Sequence, residues 1–256
     1  MSTKTQLEQH LKTLHLAAFL DQYADLAHDA QQAGWSYEQF LLELTEQEIT
    51  RRTLNRQQRL IRQARFPMRK ELADFDFTAM PDLNRSRLLH LADTSAYVPA
   101  AEPVIFVGNP GLGKSHLAIA LGLAACRQGY KTRFYNTAAL VNELTLEQTE
   151  QRLPKLFASA LKHQLIILDE LGFIPFSSAG AQLLFQFCSA LHEQIALIVT
   201  TNLAFSDWPQ VFGDARLTAA LIDRLTYQAH IFEFRGQSYR FLNHAQEVTA
   251  EPTLTT

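Results

Sequence analysis

One short segment combines the residue types that bind phosphate groups. The stretch VGNPGLGKSHLA begins at Val107 and contains Gly108-x-x-x-x-Gly113-Lys114-Ser115 between a strand-like run and a helix-like run. This spacing lets the backbone curl so that successive N–H groups point at phosphate oxygens, and the following helix adds the positive end of its dipole. Lys114 would reach the β- and γ-phosphates, and the Ser115 hydroxyl would hold Mg²⁺. The predicted nucleotide-binding set is Gly108, Asn109, Pro110, Gly111, Leu112, Gly113, Lys114, Ser115 and His116.

A pair of acids follows a second apolar run. The stretch QLIILDELG carries four apolar residues into Asp169 and Glu170. A carboxylate at the tip of a buried parallel strand lies at the carboxyl edge of the sheet, where ligands bind in such folds. Asp169 can hold Mg²⁺ through water, and Glu170 can orient and deprotonate the water that attacks the γ-phosphate. Together with the glycine-rich loop, the pair predicts a Mg²⁺-dependent site for ATP.

A third apolar run, ALIVTTN, ends in polar residues of the same kind. Asn202 could hydrogen-bond the attacking water or the γ-phosphate and so sense which nucleotide is bound. The alternative is that this asparagine only starts a turn.

The segment GDARLTAALIDRLTY contributes Arg216 and Arg224, and GQSYR contributes Arg240. Arginines on a helix surface are usually solvated or salt-bridged. The alternative is an arginine that one subunit supplies to its neighbour to stabilise charge on the transferring phosphoryl group. The sequence leaves the roles of Arg216 and Arg240 open.

Short apolar strands alternate with helical patterns over the second part of the chain. We predict strands at 104–107, 132–136, 165–169, 196–201 and 230–234, with a helix from Gly113 that stops near Gly129. This alternation predicts an α/β fold in which helices flank a parallel sheet. Residues 1 to about 66 contain one glycine and no proline and predict a small all-helical domain that ends before Pro67.

The last predicted helix of that domain is basic. Its sequence RRTLNRQQRLIRQAR contains no acid, and its arginines fall within roughly half of the helix circumference, whereas Leu54, Leu60, Ile61 and Ala64 occupy the other side. A solvated charged face is the common explanation for such a stripe. Because every charge is positive, we favour contacts with the phosphates of duplex DNA, which are largely independent of base sequence. The candidate DNA-binding residues are Arg51, Arg52, Arg56, Arg59, Arg62 and Arg65.

Composition limits the alternatives. The 256-residue chain is 47% hydrophobic and has a formal net charge of -3, which argues against a uniformly basic nucleic-acid coat but not against a local basic patch. Charged residues interrupt every apolar run near the start, and no run approaches the ~18 residues of a membrane span. We therefore expect a cytoplasmic protein with no membrane partner.

These motifs together resemble the IstB-type transposition helper ATPases and, more distantly, the DnaC-type helicase loaders, both within the AAA+ superfamily of P-loop NTPases. The resemblance covers nearly the whole chain. It rests on RFP…DFDF (66–77), GNPGLGKSHLAIALG, LIILDELGFIP, TTNLAFSDWPQVFGD, LIDRL and GQSYR, and the series after the phosphate loop is its more specific part.

The resemblance implies a domain order and a function. Residues 1–72 would form the helical domain that binds DNA or a partner, and residues 73–256 the AAA+ ATPase domain. It implies Lys114 and Ser115 for nucleotide and Mg²⁺, Asp169 and Glu170 as metal and catalytic acids, Asn202 as the sensor and Arg224 as the arginine finger. The protein would hydrolyse ATP, form ATP-dependent oligomers on target DNA and recruit or activate its cognate transposase.

Other functions stay open at this point. The alternative is a DnaC-like helicase loader whose helical domain grips a helicase. A phosphotransferase is less favoured because the acid pair suits activation of water. A nucleotide-gated scaffold without turnover is less favoured because it would need no base beside Asp169.

Overall fold

The computed structural model describes residues 2–173 and 175–236. The chain divides into two compact units, residues 1–59 and residues 60–256. The first contains the helices α1 (Thr3–Thr13) and α2 (Ala17–Ala33) and most of α3 (Tyr37–Ala64), whose last residues belong to the second unit. Within the described residues, no helix is both long enough and apolar enough to cross a membrane.

The first unit is a small helical unit, as the sequence predicts. Gly34, in the left-handed conformation, ends α2. Leu11, Ala18 and Leu44 are buried in this unit. The carboxylate of Glu48 is also buried, and it accepts a hydrogen bond from the backbone N–H of Ala18 at 2.8 Å. This bond satisfies an amide in the first turn of α2, which has no partner within its own helix.

The second unit is a five-stranded parallel sheet with helices on both faces, which confirms the predicted fold class. The helices are α4 (Arg85–Thr94), α5 (Lys114–Arg127), α6 (Thr137–Thr149), α7 (Leu153–Ala160), α8 (Ser178–Leu191), α9 (Trp208–Phe212) and α10 (Ala215–Thr226). The strands are β1 (Val104–Gly108), β2 (Thr132–Asn136), β3 (Leu165–Leu171), β4 (Ala196–Thr201) and β5 (His230–Phe234). All five predicted strands are confirmed, although β1 and β3 run slightly further than predicted.

The strands are arranged in the order β2-β3-β4-β1-β5. Successive strand residues point to opposite faces, so one buried layer packs α4 and α5 on Phe106, Ile167 and Ile198. The other packs α6, α8 and α10 on Ile105 and Ile166. Both faces are covered, which explains why the central strands β1, β3 and β4 contain continuous apolar runs rather than alternating ones.

The connector between α3 and α4, residues 65–84, is anchored by Phe66. The Phe66 ring lies edge-on to Phe134, with centroids 6.3 Å apart. A Cβ atom at Gly122 of α5 would come within 2.9 Å of the Phe66 ring, so the absence of a side chain at Gly122 is what admits the ring. This packing fixes where the connector leaves α3 and directs it along α5.

Candidate nucleotide site

The predicted nucleotide-binding residues converge on one cavity of about 740 Å³ at the carboxyl edge of the sheet. Asn202 lines this cavity beside the two acids, as predicted from the ends of β3 and β4. Gly108 and Asn109 are not among the lining residues, although they belong to the same loop. The predicted residues that line the cavity are Pro110, Gly111, Leu112, Gly113, Lys114, Ser115, His116, Asp169, Glu170 and Asn202.

Lys114 lies inside the phosphate loop. It is 6% exposed, and its ammonium donates to the carbonyl oxygens of Gly108 at 2.6 Å and Asn109 at 2.7 Å. The first backbone N–H groups of α5 have no acceptor within the helix, because a helix satisfies its amides only from the second turn onward. A buried ammonium and a helix N-terminus at one cavity wall make this wall a binding surface for phosphate oxygens.

The loop glycines are required for a reason that sequence reasoning did not identify. The spacing of the glycines predicts a backbone that curls so that its N–H groups point at phosphate oxygens. In the structure, a Cβ atom at Gly108 would lie 2.2 Å from the carbonyl oxygen of Phe234, and one at Gly113 would lie 2.6 Å from the Phe75 ring. Both residues also have positive φ angles, 144° and 88°. Contacts with other parts of the protein therefore exclude side chains at both positions.

Asp169 and Glu170 occupy a β-bulge. Leu168 pairs with Val199 and Leu171 pairs with Thr201, so the two acids lie opposite the single residue Thr200. Glu170 has a φ angle of 59°, in the left-handed region that non-glycine residues seldom adopt. In a regular strand, adjacent side chains point to opposite faces. The bulge changes this alternation, and both carboxylates line the same cavity.

Asn136, the last residue of β2, holds the Glu170 side chain. Its Nδ2 donates to Glu170 Oε2 at 2.9 Å, while its Oδ1 accepts the N–H of Ala139 at 3.2 Å and so caps α6. Sequence reasoning missed this residue. The available signal was its position, since a polar residue that ends a strand next to β3 must lie beside the acids.

The connector forms another wall of the cavity, which sequence reasoning also missed. Phe75 packs edge-on against His116, with ring centroids 5.4 Å apart. A nitrogen of the His116 ring lies 2.7 Å from the backbone oxygen of Glu71, whose carboxylate binds Arg127 of α5 at 2.6 Å. Arg127 lowers the pKa of the Glu71 carboxyl, so this ion pair persists to lower pH than an ordinary glutamate would allow. These contacts hold the connector against α5, through His116 in its first turn and Arg127 at its end.

Comparisons with known proteins identify the family of this chain. Residues 9–247 match the family model described as IstB-like ATP binding protein. This chain belongs to the IstB-like family. It is 35% identical over 237 residues to an ATP-binding protein of insertion sequence IS5376 from Geobacillus stearothermophilus, which covers 93% of this chain and 94% of the relative. It is 34% identical over 234 residues to the corresponding protein of insertion sequence IS21 from Pseudomonas aeruginosa. That match covers 91% of this chain and 87% of the relative.

Solved structures show the same fold at lower identity. DnaI is similar with a TM-score of 0.54 and 17% identity, covering 70% of the IstB-like chain and 94% of DnaI. The replication initiator DnaA bound to AMPPCP and single-stranded DNA is similar with a TM-score of 0.53 and 16% identity. That match covers 70% of the IstB-like chain and 54% of the DnaA chain. At these identities the likeness concerns the fold alone.

The oxygen ligands of this IstB-like site fit Mg²⁺. Ser115 and Asp169 both line the cavity and offer a hydroxyl and a carboxylate. Mg²⁺ prefers oxygen ligands and is commonly held by one or two carboxylates together with substrate phosphates. Among the described residues there is no cluster of three or more His, Cys, Asp or Glu side chains that could hold a metal alone. Ser115 and Asp169 would hold Mg²⁺ together with the phosphates of a nucleotide.

Arg224 of the IstB-like chain lies on α10, away from the cavity lining. Its Nη1 donates to the backbone oxygen of Ala220 at 3.0 Å, and its guanidinium carbon lies 4.9 Å from the centroid of the Phe185 ring. Arg216 is exposed in the first turn of the same helix. Arg240 lies outside the described residues.

The predicted cationic face of α3 is partly neutralised by acids from outside the arginine-rich segment. Arg51 pairs with Asp21 of α2, and Arg52 pairs with Glu48 one turn earlier on α3. These acids lie outside the arginine-rich segment, so inspection of that segment alone could not reveal them. Arg59, Arg62 and Arg65 are exposed. Within the part of the chain that the structure describes, none of the three forms a salt bridge.

The expected apolar side of this helix also needs correction. Leu60 and Ala64 are buried and Ile61 is half-buried, as predicted, but Leu54 is 51% exposed. At 100° per residue, Leu54 lies about a quarter of a turn away from the buried Leu44 and about a third of a turn away from the buried Glu48. It therefore projects away from the packed side of the first unit.

Proposed function

We propose that this chain is a Mg²⁺-dependent ATPase that acts in the cytoplasm as a transposition helper. It binds duplex DNA with little sequence preference, assembles into ATP-dependent oligomers and recruits or activates the transposase of its insertion sequence. In this proposal residues 1–72 provide the DNA or partner contacts and residues 73–256 provide the ATPase. The names of the relatives, which are ATP-binding proteins of insertion sequences, support the helper role.

The observation that carries the ATPase proposal is the meeting of Lys114, Asp169 and Glu170 in one cavity. Bound Mg²⁺ would neutralise charge on the phosphates and fix their orientation. Lys114 would exchange its two loop carbonyls for the β- and γ-phosphate oxygens. Glu170 would accept a proton from the attacking water, and Asn202 would orient that water or the γ-phosphate.

The proposed finger completes the site from a second subunit. Arg224 does not line the cavity of its own subunit, so its proposed contact with the γ-phosphate requires a neighbour. Such a contact joins different surfaces on the two copies and builds rings or helical filaments rather than closed dimers.

The ATPase proposal is tested by two substitutions with different expected results. Lys114→Ala should weaken ATP binding and abolish hydrolysis, because it removes a phosphate contact. Glu170→Gln should keep ATP binding, because Asp169 remains, and should lower the rate of phosphate release by on the order of 10²-fold or more. Nucleotide affinity is measured with a fluorescent ATP analogue, and hydrolysis by phosphate release. A Glu170→Gln variant that hydrolyses ATP at the unmodified rate would show that Glu170 is not the base.

The helper proposal needs a separate assay with DNA and transposase. Duplex DNA binding is measured with ATP, with a non-hydrolysable analogue and without nucleotide. Strand transfer by the transposase of the same insertion sequence is then measured with and without this protein. We expect nucleotide-dependent DNA binding and a higher strand-transfer rate, and a transposase unaffected by this protein would contradict the helper role.

A further inference from the structure

Thr200 has contacts with both acids of the candidate site. Its hydroxyl donates to Asp169 Oδ1 at 2.6 Å and accepts the backbone N–H of Glu170 at 2.9 Å. The side chain is 1% exposed, and the residue lines the nucleotide cavity. The same hydroxyl therefore donates its single proton to the Asp169 carboxylate and accepts the Glu170 amide proton with an oxygen lone pair.

The bulge explains why this hydroxyl is needed. Since Asp169 and Glu170 together oppose only Thr200, the regular ladder of backbone hydrogen bonds is interrupted there. The Glu170 amide then takes another acceptor, because backbone N–H groups are strong hydrogen-bond donors. The Thr200 hydroxyl provides it and so supports the left-handed conformation of Glu170.

The position of the hydroxyl is itself fixed. Thr200 lies in β4, between β3 and β1, and it pairs with Phe106 of β1. Threonine is branched at Cβ and has few side-chain conformations in a strand. The hydrogen bond to Oδ1 therefore fixes the rotation of the Asp169 carboxylate. Because both oxygens belong to one planar group, the direction of Oδ2 is fixed as well.

We propose that Thr200 is a positioning residue for the metal and the base of this site. It fixes the Asp169 carboxylate for Mg²⁺ and its water, and it holds the bulge that turns Glu170 into the same cavity. This inference rests on the proposed ATPase function for the role of Glu170, but its Mg²⁺ part concerns nucleotide binding and does not require hydrolysis.

The test compares Thr200→Val, which keeps the shape and removes the hydroxyl, with Thr200→Ser, which keeps the hydroxyl. The matched control is Thr132→Val, a change at another buried strand threonine, at the amino end of β2. For each variant, affinity for a fluorescent ATP analogue is measured with EDTA and over a Mg²⁺ titration, and phosphate release is measured at saturating ATP. Thermal unfolding shows whether each variant is folded.

We expect Thr200→Val to bind the analogue normally in EDTA. Its Mg²⁺ half-saturation should rise about 10- to 100-fold, the usual effect of losing a residue that orients a metal ligand. Its kcat should fall on the order of 10²-fold, because a displacement of about 1 Å at the reacting groups has this effect. Thr200→Ser should recover most of both properties, and Thr132→Val should match the unmodified protein.

Several results would overturn the proposal. Normal Mg²⁺ half-saturation and kcat in folded Thr200→Val would show that the hydroxyl positions nothing. If Thr200→Val does not fold, the serine variant decides the question. A folded Thr200→Ser that shows the same rise in Mg²⁺ half-saturation and the same fall in kcat would show that the hydroxyl does not position the acids. An unmodified protein that never hydrolyses ATP would contradict the proposed function, while the Mg²⁺ titration would still test Thr200.

Discussion

Replacing Gly113 by alanine separates two costs that the structure assigns to this position. The first is conformational, because Gly113 has a φ of 88° and an L-residue in the left-handed region costs about 1–2 kcal/mol. The second is steric, because the new Cβ would lie 2.6 Å from Phe75 Cε2. Overpacking of this kind costs about 1–3 kcal/mol when the neighbour must shift. We therefore expect Gly113→Ala to lower the free energy of unfolding by about 2–5 kcal/mol.

Gly213 provides a matched control. It also has a positive φ, 73°, but a Cβ atom there would meet no other atom within 4 Å. Gly213→Ala should therefore cost only the conformational part, about 1–2 kcal/mol. The difference between the two alanine variants isolates the contact with Phe75.

The assay is urea unfolding followed by the fluorescence of Trp208, which is 1% exposed in the second unit. A Trp35→Phe background removes the signal of the first unit. The double variant Phe75→Leu/Gly113→Ala completes a mutant cycle, and we expect a favourable coupling of about 1–3 kcal/mol, equal to the relieved clash. The reasoning is refuted if Gly113→Ala costs no more than Gly213→Ala, or if Phe75→Leu leaves the cost of Gly113→Ala unchanged.

Three further predictions concern stability, assembly and DNA. Burial raises the pKa of the Glu48 carboxyl, but hydrogen bonds from Arg52 and Ala18 outweigh this effect, and the net pKa is lowered. The ionised Glu48 carboxylate therefore stabilises the folded protein above pH 4.5, and this contribution is lost as the pH falls further. Unfolding followed by Trp35 fluorescence should show that Glu48→Gln is less stable than the unmodified protein near neutral pH and equally stable in acid. A difference in the free energy of unfolding that does not change with pH would contradict the lowered pKa. Arg224→Ala should bind ATP but hydrolyse it poorly, and mixing it with Lys114→Ala should restore some phosphate release; monomers in light scattering with ATP analogue and DNA would exclude a finger from a neighbour. Reversing the charges of Arg59 and Arg62 to glutamate should greatly weaken duplex DNA binding and reduce its salt dependence, whereas the same reversal at the exposed Lys4 and Lys12 of α1 should have little effect.

The fold and the phosphate loop could be predicted because their signals are local. The central strands β1, β3 and β4 each contain a run of four apolar residues, and Gly108, Gly113 and Lys114 define the loop within seven consecutive positions. The contacts that shape the acids are not local. Asn136 and Thr200 lie 34 and 30 residues from Glu170 in sequence. They meet Glu170 only through strand order and register, which no short segment contains.

The charge on α3 shows the same limit. The segment from Arg51 to Arg65 contains no acid, and this supported a uniformly cationic face. Asp21 lies 30 residues before Arg51 and neutralises it through the packing of α2 on α3. Predicting such a pair requires the relative rotation of the two helices, which depends on how the whole unit packs. Arg59, Arg62 and Arg65 thus carry more of the DNA hypothesis than Arg51 and Arg52.

The strand order explains why a late segment completes the site. β4 lies between β1, which leads into the phosphate loop, and β3, which ends in the acids. Neighbouring strands are about 4.8 Å apart, so the insertion of β4 separates the loop from the acids by roughly 10 Å. That gap admits a phosphate group with its metal and an attacking water, whereas adjacent strands would bring Lys114 and Asp169 into direct contact. The same strand provides Thr200 and leads to Asn202, and both residues line the cavity. β4 therefore both sets the spacing of the two halves of the site and supplies the groups that lie between them.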